Sequence, residues 1–158
     1  MLTDDGINRH FLFPGTLFAD PRAYQISTVL GSCVAVCLWD REAGMGGMNH
    51  FMLPLWNGEG LATPKYGNIA MEKLLLKVLG MGCHKEQLVA KVFGGANVMG
   101  TGREVFMIGD RNISLAYQLL EEWRIPVVSS DVGGTVGRKI VMHTADGVVL
   151  VGKGKAPA

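Results

Sequence analysis

The stretch Gln25-Ile26-Ser27-Thr28-Val29-Leu30-Gly31-Ser32-Cys33-Val34-Ala35-Val36-Cys37-Leu38-Trp39, resumed after a short polar turn by Met45-Gly46-Gly47-Met48-Asn49-His50-Phe51-Met52-Leu53, decides how the chain folds. Apolar and β-branched residues come in short runs separated by glycine and polar turns, which predicts strands over Gln25 to Leu30, Cys33 to Trp39 and Met45 to Leu53. Four more strands are expected further on: Leu88 to Phe93, Val127 to Val132, Lys139 to Thr144 and Val148 to Val151, the last two flanking the hairpin signal Ala145-Asp146-Gly147. Two segments have helical spacing. One runs from about Pro64 to Leu79, with Thr63 as cap, and the other from about Asp110 or Arg111 to Arg124, stopped by Pro126. Many strands with hairpins and only two helices predict a layered α+β sandwich, mostly antiparallel, and not a doubly wound nucleotide-binding fold.

The 158 residues suit a single domain spanning 1–158, and no repeat, linker or low-complexity tract divides them. Fifteen basic and fourteen acidic side chains leave a net charge of +1 with no basic block, which argues against nucleic acid as a partner. The polar start with Asp4 and Asp5 is unlike a secretory signal, and the uncharged stretch Ala23 to Trp39 is too short and too polar to span a bilayer. Three cysteines without metal-type spacing fit a reducing compartment. The expectation is a cytoplasmic protein without membrane insertion, disulfide framework, metal or other cofactor.

Chemistry concentrates around Cys33 and His50. If Asp40 to Ala43 forms the hairpin tip, Cys33 comes almost opposite His50 on one face of an antiparallel pair, where Cβ atoms lie about 4.5–5.5 Å apart. A slip of one residue would put Asn49 there instead. A thiol beside an imidazole can become a nucleophile at neutral pH, and the Gly31-Ser32 turn offers backbone N–H groups to an oxyanion. The strand after Cys33 argues against a papain-like arrangement, in which the nucleophile opens a helix. Against this stands the plainer reading that a cysteine in an apolar strand is a small buried hydrophobe, which we adopt for Cys37, while Cys83, in a turn after the first helix and without a partner at useful spacing, reads as structural or incidental. Phe93-Gly94-Gly95-Ala96-Asn97 and Gly100-Thr101-Gly102-Arg103 lack the Gly-Lys-Ser/Thr ending of a phosphate loop and read as tight turns.

These residues resemble the CheD family of chemoreceptor glutamine deamidases: Val29 to Leu38 with Gly47 to Pro54, then Lys65-Tyr66-Gly67-Asn68, Lys91 to Asn97, Ile108 to Asn112, Asp131-Val132-Gly133-Gly134 and Gly137-Arg138-Lys139, in family order. The resemblance implies a layered α/β sandwich and a hydrolase that converts glutamine side chains of methyl-accepting chemotaxis receptors to glutamate. It implies a Cys, a His and a Thr as catalytic residues. The first two carry over to Cys33 and His50, and the third falls on Ser27, with Thr28 adjacent. Asn97, Gly94 and Gly95 are expected to line the groove that admits a receptor helix, and Arg138 and Lys139 read equally as contacts to an acidic receptor surface or as a solvated turn. A CheC-type phosphatase is an implied partner. Two rival classes stand beside this reading: a non-catalytic binding regulator of such a phosphatase or of receptors, and a transglutaminase or thiol protease built on the same nucleophile.

Overall fold

A computed structural model of the chain describes residues 6–97 and 103–154, with no side-chain detail over 103–107. The turn expected at Gly100-Thr101-Gly102 lies outside the described residues. Within them the order is β1 (Arg9–Phe11), β2 (Leu17–Asp20), β3 (Gln25–Leu30), β4 (Val34–Asp40), β5 (Met45–Asn49), α1 (Gly67–Gly80), a 3-10 turn (Lys85–Gln87), β6 (Leu88–Gly94), α2 (Arg103–Glu122), β7 (Val127–Val132), β8 (Arg138–His143) and β9 (Val149–Lys153). Two sheets form, one ordered β1-β3-β8-β9 and the other β2-β5-β4-β6-β7. Only β1 with β3 and β6 with β7 pair parallel among these strands, so the fold is the expected mostly antiparallel α+β sandwich.

Alternation along β4 explains the layering. Val34, Val36 and Leu38 pack with Met71, Leu74 and Val78 of α1 and Ala116 and Leu120 of α2, which puts both helices on one face of the five-stranded sheet. Ala35 and Cys37 point the other way and join Ile26, Leu30, Ile140 and Met142 of the four-stranded sheet. A strand buried on both faces reads as a continuous apolar run, which is how Val34 to Leu38 reads. The chain passes from one sheet to the other between β3 and β4, through Gly31, Ser32 and Cys33.

Several boundaries differ from expectation for local reasons. α1 starts at Gly67, because residues before it are engaged elsewhere: Tyr66 bridges Leu53, and the Gly67 N–H donates to the Leu53 carbonyl at 2.7 Å. Thr63 therefore receives Tyr66 through its backbone carbonyl and does not cap by its side chain. α2 begins at Arg103, earlier than expected, and continues through Gly109. A Cβ at Gly109 would meet the Gly95 carbonyl oxygen at 2.5 Å, so the glycine serves close packing and is no helix end. Strands β1 and β2 are additional to those predicted.

The hairpin between β4 and β5 also corrects the expected register. Asp40 remains in the strand, pairs with Met45, and accepts the N–H groups of Glu42, Ala43 and His84 through its carboxylate. The turn is Arg41 to Gly44, with Gly44 at φ +67°. Moving the tip one residue along shifts the pairing by two, so every side chain keeps its face.

Candidate active site

Val34 bridges Phe51; counting from that pair, His50 stands across from Ala35, and Cys33 across from Met52. Cys33 and His50 are thus diagonal neighbours on one face, not directly opposed. Diagonal positions are about 7–8 Å apart, a span an imidazole covers. The side chain of Asn49 opens the ladder at this point: its Oδ1 takes the Val36 N–H at 2.9 Å, and its Nδ2 meets the Met71 sulfur at 3.4 Å. The His50 backbone is held on its other side by β2 and its approach, with its N–H on the Thr16 carbonyl at 3.1 Å and its carbonyl accepting from Gly15 at 2.8 Å.

His50 is buried between the sheets, where its Nδ1 lies 2.7 Å from the Thr28 hydroxyl oxygen. Ser27, expected in that place, is not the partner. Along β3 the residues Ile26, Thr28 and Leu30 face inward, and Ser27 alternates to the opposite face. The signal was present in the sequence, since Ile26 and Leu30 are the apolar members of the strand's inward set.

Counting protons fixes the ring's tautomer. The Thr28 hydroxyl also lies 2.7 Å from the Leu12 carbonyl oxygen, which can only accept, so the single hydroxyl proton goes there. Thr28 must then accept from His50, which places a proton on Nδ1 and leaves the Nε2 lone pair free. Among the described residues Nε2 has no hydrogen-bond partner. Burial lowers the His50 pKa to about 4 and raises that of Cys33, the latter offset in part by a hydrogen bond from Cys33's own backbone N–H. Both shifts favour the uncharged forms, a thiol on Cys33 and a neutral imidazole base on His50.

The crossover that carries Cys33 is held at every carbonyl. Gly31 accepts from the Ala96 N–H at 2.9 Å, Ser32 from the Asn112 side-chain amide at 3.1 Å, and Cys33 from the Gly95 N–H at 2.8 Å. Gly94 and Gly95 are buried, so they back the turn and do not present a groove surface. A Cβ on Gly94 would collide with the Cys33 carbonyl oxygen, and both glycines have positive φ, +102° and +71°. Asn97 is half-buried and donates its N–H to the Gly134 carbonyl at 2.8 Å. Arg138 is buried, with Nε on Asp131 at 2.9 Å, and so serves an internal ion pair and not an exposed surface.

The other thiols are unsuited to attack. Burial pushes Cys37 up to about 12, and burial with the nearby Asp40 pushes Cys83 to about 11. On the helix side of the five-stranded sheet, the Leu53–Asn57 segment and the outer face of α2 enclose a cleft of about 710 Å³, lined by Leu53, Pro54, Leu55 and Tyr66 on one side and Arg111 and Ser114 on the other, and reaching neither Cys33 nor His50. Asn112 lies on the buried side of the same turn of α2.

Comparison with known proteins gives one family. The model of the family described as CheD, chemotactic sensory transduction, matches residues 52–153. A probable chemoreceptor glutamine deamidase CheD of Trichlorobacter lovleyi is 64% identical over 157 residues, covering 98% of each chain. The protein of the same description from Sulfurimonas denitrificans is 46% identical over 144 residues, 90% of this chain and 92% of that one. A third, probable chemoreceptor glutamine deamidase CheD 1 of Anaeromyxobacter dehalogenans, is 50% identical over 133 residues, 84% of this chain and 76% of that one. The family model begins after His50, whereas the match to the Trichlorobacter protein takes in nearly the whole chain.

Proposed function

This chain belongs to the CheD family, and we propose that, as a chemoreceptor glutamine deamidase, it carries out the hydrolysis on Cys33, with His50 as general base and acid and Thr28 holding the imidazole. The observation that carries the assignment of roles is the free Nε2 of a buried, Thr28-anchored His50 on the same strand face as Cys33. The Cys33 sulfur attacks the carboxamide carbon of a receptor glutamine as its proton passes to Nε2. The carbonyl oxygen becomes an oxyanion, with the Cys33 backbone N–H among its donors. The imidazolium returns the proton to the departing nitrogen, the C–N bond breaks, and ammonia leaves a thioester. Water then attacks the thioester, His50 takes its proton, and the thiol is restored as glutamate forms.

Receptors are the substrates in this reading, and the cleft beside Asn112 supports docking of a receptor helix, since its apolar wall and polar rim suit an amphipathic segment. A CheC-type phosphatase that docks at the same cleft would compete with the receptor. Among the described residues no helix is long and apolar enough to cross a membrane. The test is mass spectrometry of a receptor cytoplasmic fragment after incubation with wild type, Cys33→Ala and His50→Ala. A gain of about 1 Da at defined glutamines with wild type alone, the change when thiol chemistry replaces –NH₂ by –OH, upholds the roles. Activity retained by Cys33→Ala would overturn them, and a product cross-linked to an amine or shortened would indicate transglutamination or proteolysis.

A further inference from the structure

Asn112 sits at 0% exposure on α2 and uses both hydrogens of its amide, one on the Ser32 carbonyl and one on the Met52 carbonyl, each at 3.1 Å. Ser32 immediately precedes Cys33, and Met52 comes two residues after His50. One side chain therefore ties together the two backbone segments that carry the reacting groups. Its Oδ1 is also buried and meets no donor among the described residues. A flipped amide would set oxygen against two carbonyl oxygens, so the two acceptors impose the orientation even though it leaves Oδ1 unmatched.

The Ser32 carbonyl and the Cys33 N–H belong to one peptide unit. That unit is planar and trans, so its C=O and N–H point in opposite directions, and holding one aims the other. Gly31, just before, leaves the turn free to rotate. Among the described residues the Ser32 carbonyl accepts from Asn112 alone. A hydrogen bond to the carbonyl also polarises the same amide and strengthens its N–H as a donor. We infer that Asn112 is a positioning residue for the oxyanion: by fixing and polarising the Ser32–Cys33 peptide it directs the Cys33 N–H at the oxygen of the tetrahedral intermediate.

This rests on Cys33 being the nucleophile, and the experiment keeps the two apart. Two reactions of the same sulfur are compared in Asn112→Asp, which keeps the shape and removes the donors, and in Asn112→Leu. Deamidation of a receptor fragment passes through an oxyanion, whereas alkylation by iodoacetamide, read at Cys33 by mass spectrometry, displaces iodide and forms none. In both variants kcat should fall about 10- to 100-fold, below the loss for deleting an oxyanion donor outright, with KM and the Cys33 alkylation rate within about twofold of wild type. Parallel loss of both reactions would make Asn112 a structural brace only, and unchanged kcat would remove it from the reaction; either overturns the inference. If Asn112→Asp does not fold, Asn112→Leu is judged by the same ratio. Persistent deamidation by Cys33→Ala would instead show that the underlying assignment of the nucleophile fails.

Discussion

At the scale of the residue, the site turns on where one hydroxyl proton goes. Thr28 gives it to the Leu12 carbonyl and so presents only lone pairs to His50, which fixes the base with Nε2 open. Replacing Thr28 by Val keeps the branched shape but leaves the Nδ1 proton without a buried acceptor, at a cost of about 1–3 kcal/mol. Through loss of the correct tautomer kcat should fall about 10- to 100-fold, with Thr28→Ser recovering most of it. Ser27→Ala, on the other face of β3, should leave steady-state rates within about twofold of wild type. Comparable losses in Ser27→Ala would restore that residue to the site. The candidate cysteine and histidine stand out in the sequence because their flanking motifs are distinctive. The hydroxyl was displaced by one residue because strand alternation assigns a side chain to a face, and a motif's spacing does not. Asn112 stood within a recognisable motif, yet its acceptors are carbonyls, 80 and 60 residues away, that no pattern of side chains announces.

Among the elements, the end of β6 backs the Cys33 turn directly. Gly94 and Gly95 let this strand pass close behind the Cys33 turn, and Gly133 donates its N–H back to the Gly94 carbonyl at 2.9 Å. Gly94 and Gly133 both have positive φ, +102° and +78°, but only at Gly94 would a Cβ also meet the Cys33 carbonyl. Gly133 has open space around it. Gly133→Ala should therefore cost about 1 kcal/mol from backbone strain alone, and Gly94→Ala at least about 2 kcal/mol more, together with slower alkylation of Cys33. Equal losses in urea denaturation would mean that the close approach contributes nothing. The sequence pattern places the expected strands and α1 to within four residues, β3 and β7 without offset, whereas α2 starts seven residues before the expected Asp110. It missed β1 and β2 because three- and four-residue strands carry too little alternation to stand out beside Pro14 and Gly15.

The whole molecule is a pair of sheets with His50 sealed between them, so its acid stability should follow that seam. His50 has an ordinary pKa of 6.5, lowered to about 4 by burial, and the folded state thus binds its proton less readily than the unfolded chain. Its contribution is fully present above pH 6.5 and is lost as pH falls to about 4, a total of about 3 kcal/mol. His10, stacked on Phe18 and also lowered by burial, adds to the loss with the same sign. A second clip acts at lower pH. Asp131 of β7 bonds Arg138 of β8 at 2.9 Å and Lys153 of β9 at 3.2 Å, joining the two sheets at their edge. Burial raises the Asp131 pKa, but those hydrogen bonds outweigh it and hold the carboxyl below its usual 3.8, so this stability is kept above that value and lost as pH falls further. Wild type should lose about 6–12 °C in melting temperature between pH 6.5 and 4 through His50 alone, at roughly 2–4 °C per kcal/mol for a chain of this size. A His50→Asn variant should be much flatter over that window, keeping only the part due to His10 and other groups. Asp131→Asn should be destabilised at every pH above 4, by about 3 kcal/mol, because it strands the buried Arg138 charge, while retaining the His50-dependent slope. Two separable acid transitions follow from two different contacts between the same sheets; a His50→Asn protein with the wild-type slope would show that the seam is not where the proton enters.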